Sequence, residues 1–200
     1  LILSAQTKQG VIALAESYKA FIAKNENISL KDLCYTTNLK RDNHNFRVPI
    51  VFNNKEDLIN NLEQIANNEE KILQVIPKRK RKLALVFSGM GSQQAGMGKE
   101  LLKNEIFRKI VTKIDSYAKK YQNWSILEKM EKGEAEVDTA QPILFALQVA
   151  LVTVLQSYGM KPDVVFGLSL GEVASAYISG TLTLEDATQV IVVRNNLLCR

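Results

Sequence analysis

Residues 164–177 read VVFGLSLGEVASAY: an apolar run, then glycine, leucine, serine, leucine and glycine, then a helix-forming segment. Strand, G-x-S-x-G and helix in that order force the chain through a tight, strained turn. That turn lifts the hydroxyl of the central residue, Ser169, above the end of a sheet. A serine hydroxyl is a weak nucleophile until a base takes its proton. The sequence holds a single histidine, His44, far upstream of this turn.

The strand before Ser169 has a counterpart. KLALVFSG, residues 82–89, is nearly continuous in apolar residues, as expected of a strand buried on both faces of a parallel sheet. It runs into SGMGSQQAGMGKELL, a glycine-rich loop. The loop lacks the Lys-Ser/Thr of a phosphate-binding loop and the spacing of the dinucleotide fingerprint. Its glycines do let backbone N–H groups approach a ligand closely, as an oxyanion site requires. NEIFRKIVTKIDSYAKKY follows as a helix. EVDTAQPILFALQVALVTVLQSYGM is another, with Thr139 placed to cap it, Pro142 near its first turn and Gly159 at its end. Strand, helix and strand with buried strands predict an α/β fold with a parallel, doubly wound core. Functional residues then belong at the carboxyl ends of the strands, where the loop after Phe87 and the elbow after Phe166 both lie.

Upstream, LILSAQ reads as a short strand, and TKQGVIALAESYKAFIAKN sets Val11, Leu14, Ala15, Tyr18 and Ile22 at helical spacing. SLKDLCYTTN has Ser29 as an N-cap with Asp32 three residues on. FRVPIVF is a strand whose Pro49 predicts an edge position, and NKEDLINNLEQIANN returns to helical periodicity. Residues 1–76 form a small α/β unit with no chemical motif of its own, and residues 77–200 form a second domain.

The net charge of +5 is mild, and five basic residues cluster in PKRKRK at 77–82. No aromatic residues interleave with them to stack on bases, so the run reads as a solvated linker and nucleic acid is not expected. Cys34 and Cys199 have no metal-ligand spacing and read as reduced thiols of a cytoplasmic protein, with no metal site. No signal peptide is evident. The apolar run 142–155 is interrupted by Gln148 and falls short of the roughly 20 residues that cross a bilayer, so it reads as a buried helix and no membrane partner is expected. Both ends, LILSAQ and NNLLCR, read as cuts through a longer polypeptide.

Four segments together, FSGMGSQQAGMG, QPILFALQVAL, GLSLGE and VIVVRNNLL, resemble the malonyl-CoA:acyl-carrier-protein acyltransferases in order and separation. The chain is most similar to the acyltransferase domain of a modular polyketide synthase. LSAQTKQGVIALAESYKAFI and DLCYTTNLKRDNHNFRVPIVF resemble the linker between ketosynthase and acyltransferase. The resemblance implies a hydrolase-like parallel-sheet acyltransferase core, present in part, preceded by a small α/β linker domain. It also implies that the catalytic histidine lies well beyond the serine, past a ferredoxin-like subdomain and past Arg200. These residues alone would then be inactive, and His44 would be a solvated loop residue.

The same resemblance implies the roles. Ser169 attacks the thioester of an acyl-CoA, and the acyl group then passes to the phosphopantetheine thiol of an acyl carrier protein. Backbone N–H groups of Leu170 and Met90 form the oxyanion hole. Arg194 clamps the free carboxylate of malonyl-type substrates, a task suited to a guanidinium fork, and Gln93 and Leu168 line the substrate site. No bound cofactor is implied beyond the malonyl-CoA substrate and the carrier's phosphopantetheine. The partners implied are acyl-CoA, the carrier protein and the neighbouring ketosynthase of the same polypeptide. An aliphatic side chain at Leu170 favours malonyl over methylmalonyl. Two positions depart from the family pattern, with Leu168 in place of histidine and Met90 in place of glutamine. They leave open a degenerate, non-catalytic scaffold, and a hydrolase that releases stalled acyl groups is the third alternative.

Overall fold

The computed structural model describes residues 1–25, 27–75, 82–134 and 136–198. The chain divides into two compact units, Leu1–Arg81 and Lys82–Arg200. Most of the basic run at 77–82, and Cys199, fall outside the described residues.

The first unit is a three-stranded antiparallel sheet with three helices. The strands are β1 (Ile2–Ala5), β2 (Phe46–Pro49) and β3 (Leu73–Gln74), in the order β1-β2-β3. The helices are α1 (Lys8–Lys24), α2 (Leu30–Leu39) and α3 (Lys55–Asn67). Each starts on a side chain that accepts from an orphan backbone N–H: Thr7 from Gly10, Ser29 from Asp32 and Asn54 from Asp57. Leu3, Val11, Ala15, Ile22, Val48, Leu58 and Leu62 fill the core. Pro49 does not put β2 at an edge; β2 is the central strand. β3 pairs only with Phe46 and Arg47, so Pro49, opposite Ile2, lies past the end of β3 and has no second ladder to satisfy.

The second unit holds a parallel pair, β4 (Ala84–Phe87) and β5 (Val164–Gly167), with Ala84 opposite Val164 and Phe87 opposite Gly167. Between and after them run α4 (Glu105–Ala118), α5 (Ile126–Lys132), α6 (Ala140–Ser157), α7 (Gly171–Ile178) and α8 (Leu184–Leu198). α6 packs against α4, α5, α7 and α8. It is also long and apolar enough to cross a membrane by length and composition, but every residue from Ala140 to Ala146 is buried inside this unit. The core joins Phe107, Val111, Ile114, Phe145, Val149, Leu170, Ala174 and Ile191.

Two expectations for this unit change. Thr139 does not cap α6 with its side chain. Its backbone is already in the helical region, so its hydroxyl turns back and donates to the carbonyl of Glu136 at 3.3 Å. The strands are also not buried on both faces. Leu85, Phe87 and Val165 face the core, whereas Val86 is 74 % exposed and Phe166, paired with it in register, is 56 % exposed. Among the described residues, helices cover one face of this sheet and leave the other bare.

Candidate active site

The elbow is built by close backbone approach. The ladder continues one bond past β5, with Leu168 N–H donating to the Phe87 carbonyl at 3.0 Å. The chain then turns through Ser169, whose φ of 56° is the only positive value among the described non-glycine residues. A side chain there costs about 1–2 kcal/mol. The flanking glycines have no room for a Cβ: one on Gly167 would lie 2.2 Å from the Gly171 carbonyl carbon, and one on Gly171 2.4 Å from the Phe87 oxygen. Ser169 N–H donates to Glu172 Oε1 at 3.2 Å and Glu172 N–H donates back to the Ser169 carbonyl at 3.1 Å, which locks the turn onto the start of α7.

The loop after β4 abuts this turn. A Cβ on Gly89 would sit 3.5 Å from Ser169 Cβ and 3.1 Å from the Leu168 carbonyl, so Met90 follows directly on a residue in contact with the serine. Neither Met90 N–H nor Leu170 N–H donates to a partner among the described residues. The Leu170 side chain is fully buried in the core, so it faces no ligand and can act on one only through packing. The Leu168 side chain is 68 % exposed. Gln93 braces the loop, its Oε1 accepting from Gly91 N–H at 2.8 Å.

Arg194 reaches the serine from α8. Its Nη2 donates to Ser169 Oγ at 2.7 Å, while the serine proton has no acceptor among the described residues. A groove of about 540 Å³ runs along α8 beside Arg194, lined by Gln189, Val190, Val193, Leu197 and Leu198. His44 belongs to the first unit. Its N–H donates to Ser4 Oγ at 2.7 Å and its carbonyl accepts from Arg47 Nε at 2.6 Å.

One contributor was read from the sequence only as a break in an apolar run. Gln148, the polar interruption of α6, donates from Nε2 to the Ser88 carbonyl at 2.9 Å and to the Ser88 hydroxyl at 3.3 Å. Ser88 Oγ in turn meets Ser92 Oγ at 3.0 Å, and Ser92 donates to the Gly89 carbonyl at 3.2 Å. The chain of bonds holds the loop that presents Met90. A lone amide within an otherwise apolar helix is the sequence signal that could have marked it.

Residues 84–200 match the family described as acyl transferase domain, and residues 1–62 match the one described as CurL-like, PKS C-terminal. The chain belongs to the polyketide synthase acyltransferase family. This acyltransferase is 32 % identical, over 98 % of its length, to the phthioceranic/hydroxyphthioceranic acid synthase of Mycobacterium tuberculosis. It is 34 % identical, over 96 %, to the highly reducing polyketide synthase Preu5 of Preussia isomera. It spans 9 % and 8 % of those two synthases. Among solved structures, the acyl transferase domain of ZmaA superimposes with a TM-score of 0.85 at 28 % identity, over 99 % of this chain and 48 % of that one. The acyltransferase domain from module 8 of the salinomycin polyketide synthase gives 0.85 at 26 %, over 98 % and 49 %. The α/β acyltransferase fold with its parallel sheet is therefore established.

Proposed function

We propose that this acyltransferase loads a malonyl-type unit from coenzyme A onto Ser169 and passes it to the phosphopantetheine thiol of an acyl carrier protein. Ser169 Oγ attacks the thioester carbonyl carbon as its proton leaves to a base. The C–S bond then breaks, coenzyme A departs as its thiol with that proton, and an acyl-serine ester remains. The carrier thiol repeats the sequence in reverse and frees the serine. The negative oxygen of each tetrahedral intermediate is met by the N–H groups of Leu170 and Met90, and such donors are worth about 3–4 kcal/mol each to the transition state. Arg194 holds the substrate carboxylate as a bidentate pair.

The observation that carries this reading is the cation at the nucleophile, with Arg194 Nη2 at 2.7 Å from Ser169 Oγ in a turn flanked by two N–H groups that have no partner among the described residues. A hydrolase handling uncharged esters has no use for a guanidinium at that position. The serine proton has no acceptor among the described residues, and the solved domains are about twice as long as this chain. We therefore assign the base to synthase residues other than those described. Leu168 turns its side chain outward without disturbing the elbow, so loss of a histidine there leaves the backbone donors in place.

The test is incubation of the intact synthase with malonyl-CoA, followed by intact mass measurement and peptide mapping. A malonyl adduct on Ser169, absent in Ser169→Ala and discharged by carrier protein, is the expected result. A folded protein that takes no adduct from malonyl-, methylmalonyl- or acetyl-CoA would sink the proposal.

A further inference from the structure

The hydroxyl that must attack is already engaged. Arg194 Nη2 donates to Ser169 Oγ at 2.7 Å, which ties up a lone pair of the attacking atom and sets a planar cation beside it. Nothing else claims the guanidinium: among the described residues Arg194 has no carboxylate partner, whereas Arg108 is paired with Glu131 at 3.0 Å. The nearest acid at the elbow, Glu172, is turned to the Ser169 N–H. Arg194 is half-buried, and the α8 groove beside it is open and apolar, so the side chain has space to swing without breaking a second polar contact.

We infer that Arg194 is a substrate-operated cover on Ser169. With no carboxylate present, the guanidinium stays on the hydroxyl and holds back its reaction with any electrophile. A carboxylate carried by the acyl group offers the guanidinium two parallel bonds to an anion in place of one bond to a neutral hydroxyl. The guanidinium leaves the serine for the carboxylate, and the nucleophile is bared only when a carboxylated substrate is in position. Selectivity then acts twice, because an acyl group without a carboxylate lacks the clamp and also meets a covered serine. The inference rests on Ser169 being the acylated residue and Arg194 its carboxylate partner.

The experiment measures phosphonylation of the intact synthase by a neutral alkyl fluorophosphonate. Ser169 Oγ bonds to phosphorus, the P–F bond breaks, and fluoride departs as the serine proton passes to the base. The probe has no carboxylate, so it reports on the cover and not on the clamp. Arg194→Ala is expected to label Ser169 about 10- to 150-fold faster than wild type, the factor that corresponds to one hydrogen bond to a charged group. Acetate at tens of millimolar is expected to accelerate wild-type labelling severalfold and to leave Arg194→Ala unchanged, with chloride at equal ionic strength as the control.

Equal or slower labelling in a folded Arg194→Ala, together with no acetate effect on wild type, overturns the cover. Should that variant fail to fold, the acetate response of wild type decides alone. If wild type is malonylated on Ser169 yet labels at a rate indifferent to acetate, the cover falls and the acyltransferase reading stands. If Ser169 takes neither malonyl nor phosphonate, both fall.

Discussion

Ser169 pays for its position in backbone energy. A side chain at a φ of 56° is tolerated because the glycines on either side cannot be anything larger. Ser169→Gly removes the strain at the cost of extra chain entropy in the unfolded state, and should raise stability by about 0.5–1 kcal/mol while abolishing acylation. Ser169→Ala keeps the Cβ and the strain, and should melt close to wild type. Gly171→Ala is the opposite case. Its Cβ would press on the Phe87 backbone at 2.4 Å, where nothing flexible can yield, so a loss of about 3 kcal/mol or more is expected. Trp124, the only tryptophan, lies in the second unit and reports its urea unfolding by fluorescence, which serves for all three variants.

At the scale of elements, two polar contacts tie distant segments together. Asp115 on α4 is buried and accepts from Ser125 Oγ at 3.0 Å and Ile126 N–H at 2.6 Å, which fixes the start of α5. Asp115→Ala leaves both donors without a partner and should cost the second unit about 2–3 kcal/mol, read from the same urea curve. Gln148 joins α6 to the loop after β4. Gln148→Leu should lower kcat about 10-fold with KM near wild type, because the loop's N–H matters most when the oxyanion forms. A Gln148→Leu synthase whose kcat is unchanged would leave the contact without a part in the chemistry. The connection from α5 to α6 depends on pH. Lys129 is held by Glu134 at 2.7 Å and Glu136 at 2.8 Å, which pushes its pKa up from 10.5 to about 12. The Lys129 hydrogen bond holds the Glu134 carboxyl below its ordinary 4.5. The lysine's contribution is therefore complete below pH 10.5 and lost as pH rises through about 12. The glutamate's contribution is present above 4.5 and fades as pH falls below it. Glu134→Gln should lower the urea midpoint slightly at neutral pH and converge on wild type in acid.

Elements set by local chemistry could be read in advance. Ser29 caps α2 because its neighbours alone decide the geometry, and the elbow at Ser169 follows from three small residues between a strand and a helix. Thr139 and Pro49 failed for different reasons: Thr139 because its own backbone is already helical, Pro49 because β3 is too short to reach it. Ser169 and Arg194 could be named from their motifs, but their contact spans 25 positions. The bond from Gln148 to Ser88 spans 60. Periodicity carries no record of either pairing.

Over the whole molecule, the boundary between the units separates structure of different kinds. The first unit is antiparallel, and its exposed apolar residues, Phe21, Leu39, Val51 and Leu73 among them, are spread over helices, strand and loop. The second exposes Val86, Val164 and Phe166 on one sheet face, and Val190, Val193, Leu197 and Leu198 along α8. Apolar residues gathered in this way are a liability in water. Val86→Thr with Phe166→Thr should raise the solubility of the 200-residue chain and reduce its binding of a hydrophobic dye, with little loss of stability because neither side chain is buried. Apolarity along β4 and β5 predicted burial on both sides, since a sequence states which residues avoid water and not what covers them.

The parallel pair also sets an order in time. Leu83 meets Asp163 across 80 positions of chain, and a ladder that must close so long a loop forms late compared with helices built from near neighbours. Gly89 and Ser169 are adjacent only once that ladder is in place. During synthesis the glycine-rich loop emerges well before its serine exists, so α4, α5 and α6 can be complete while the protein is still chemically silent. Ser169 and the backbone donors proposed for its oxyanion hole are therefore expected to come together with the ladder and not before it.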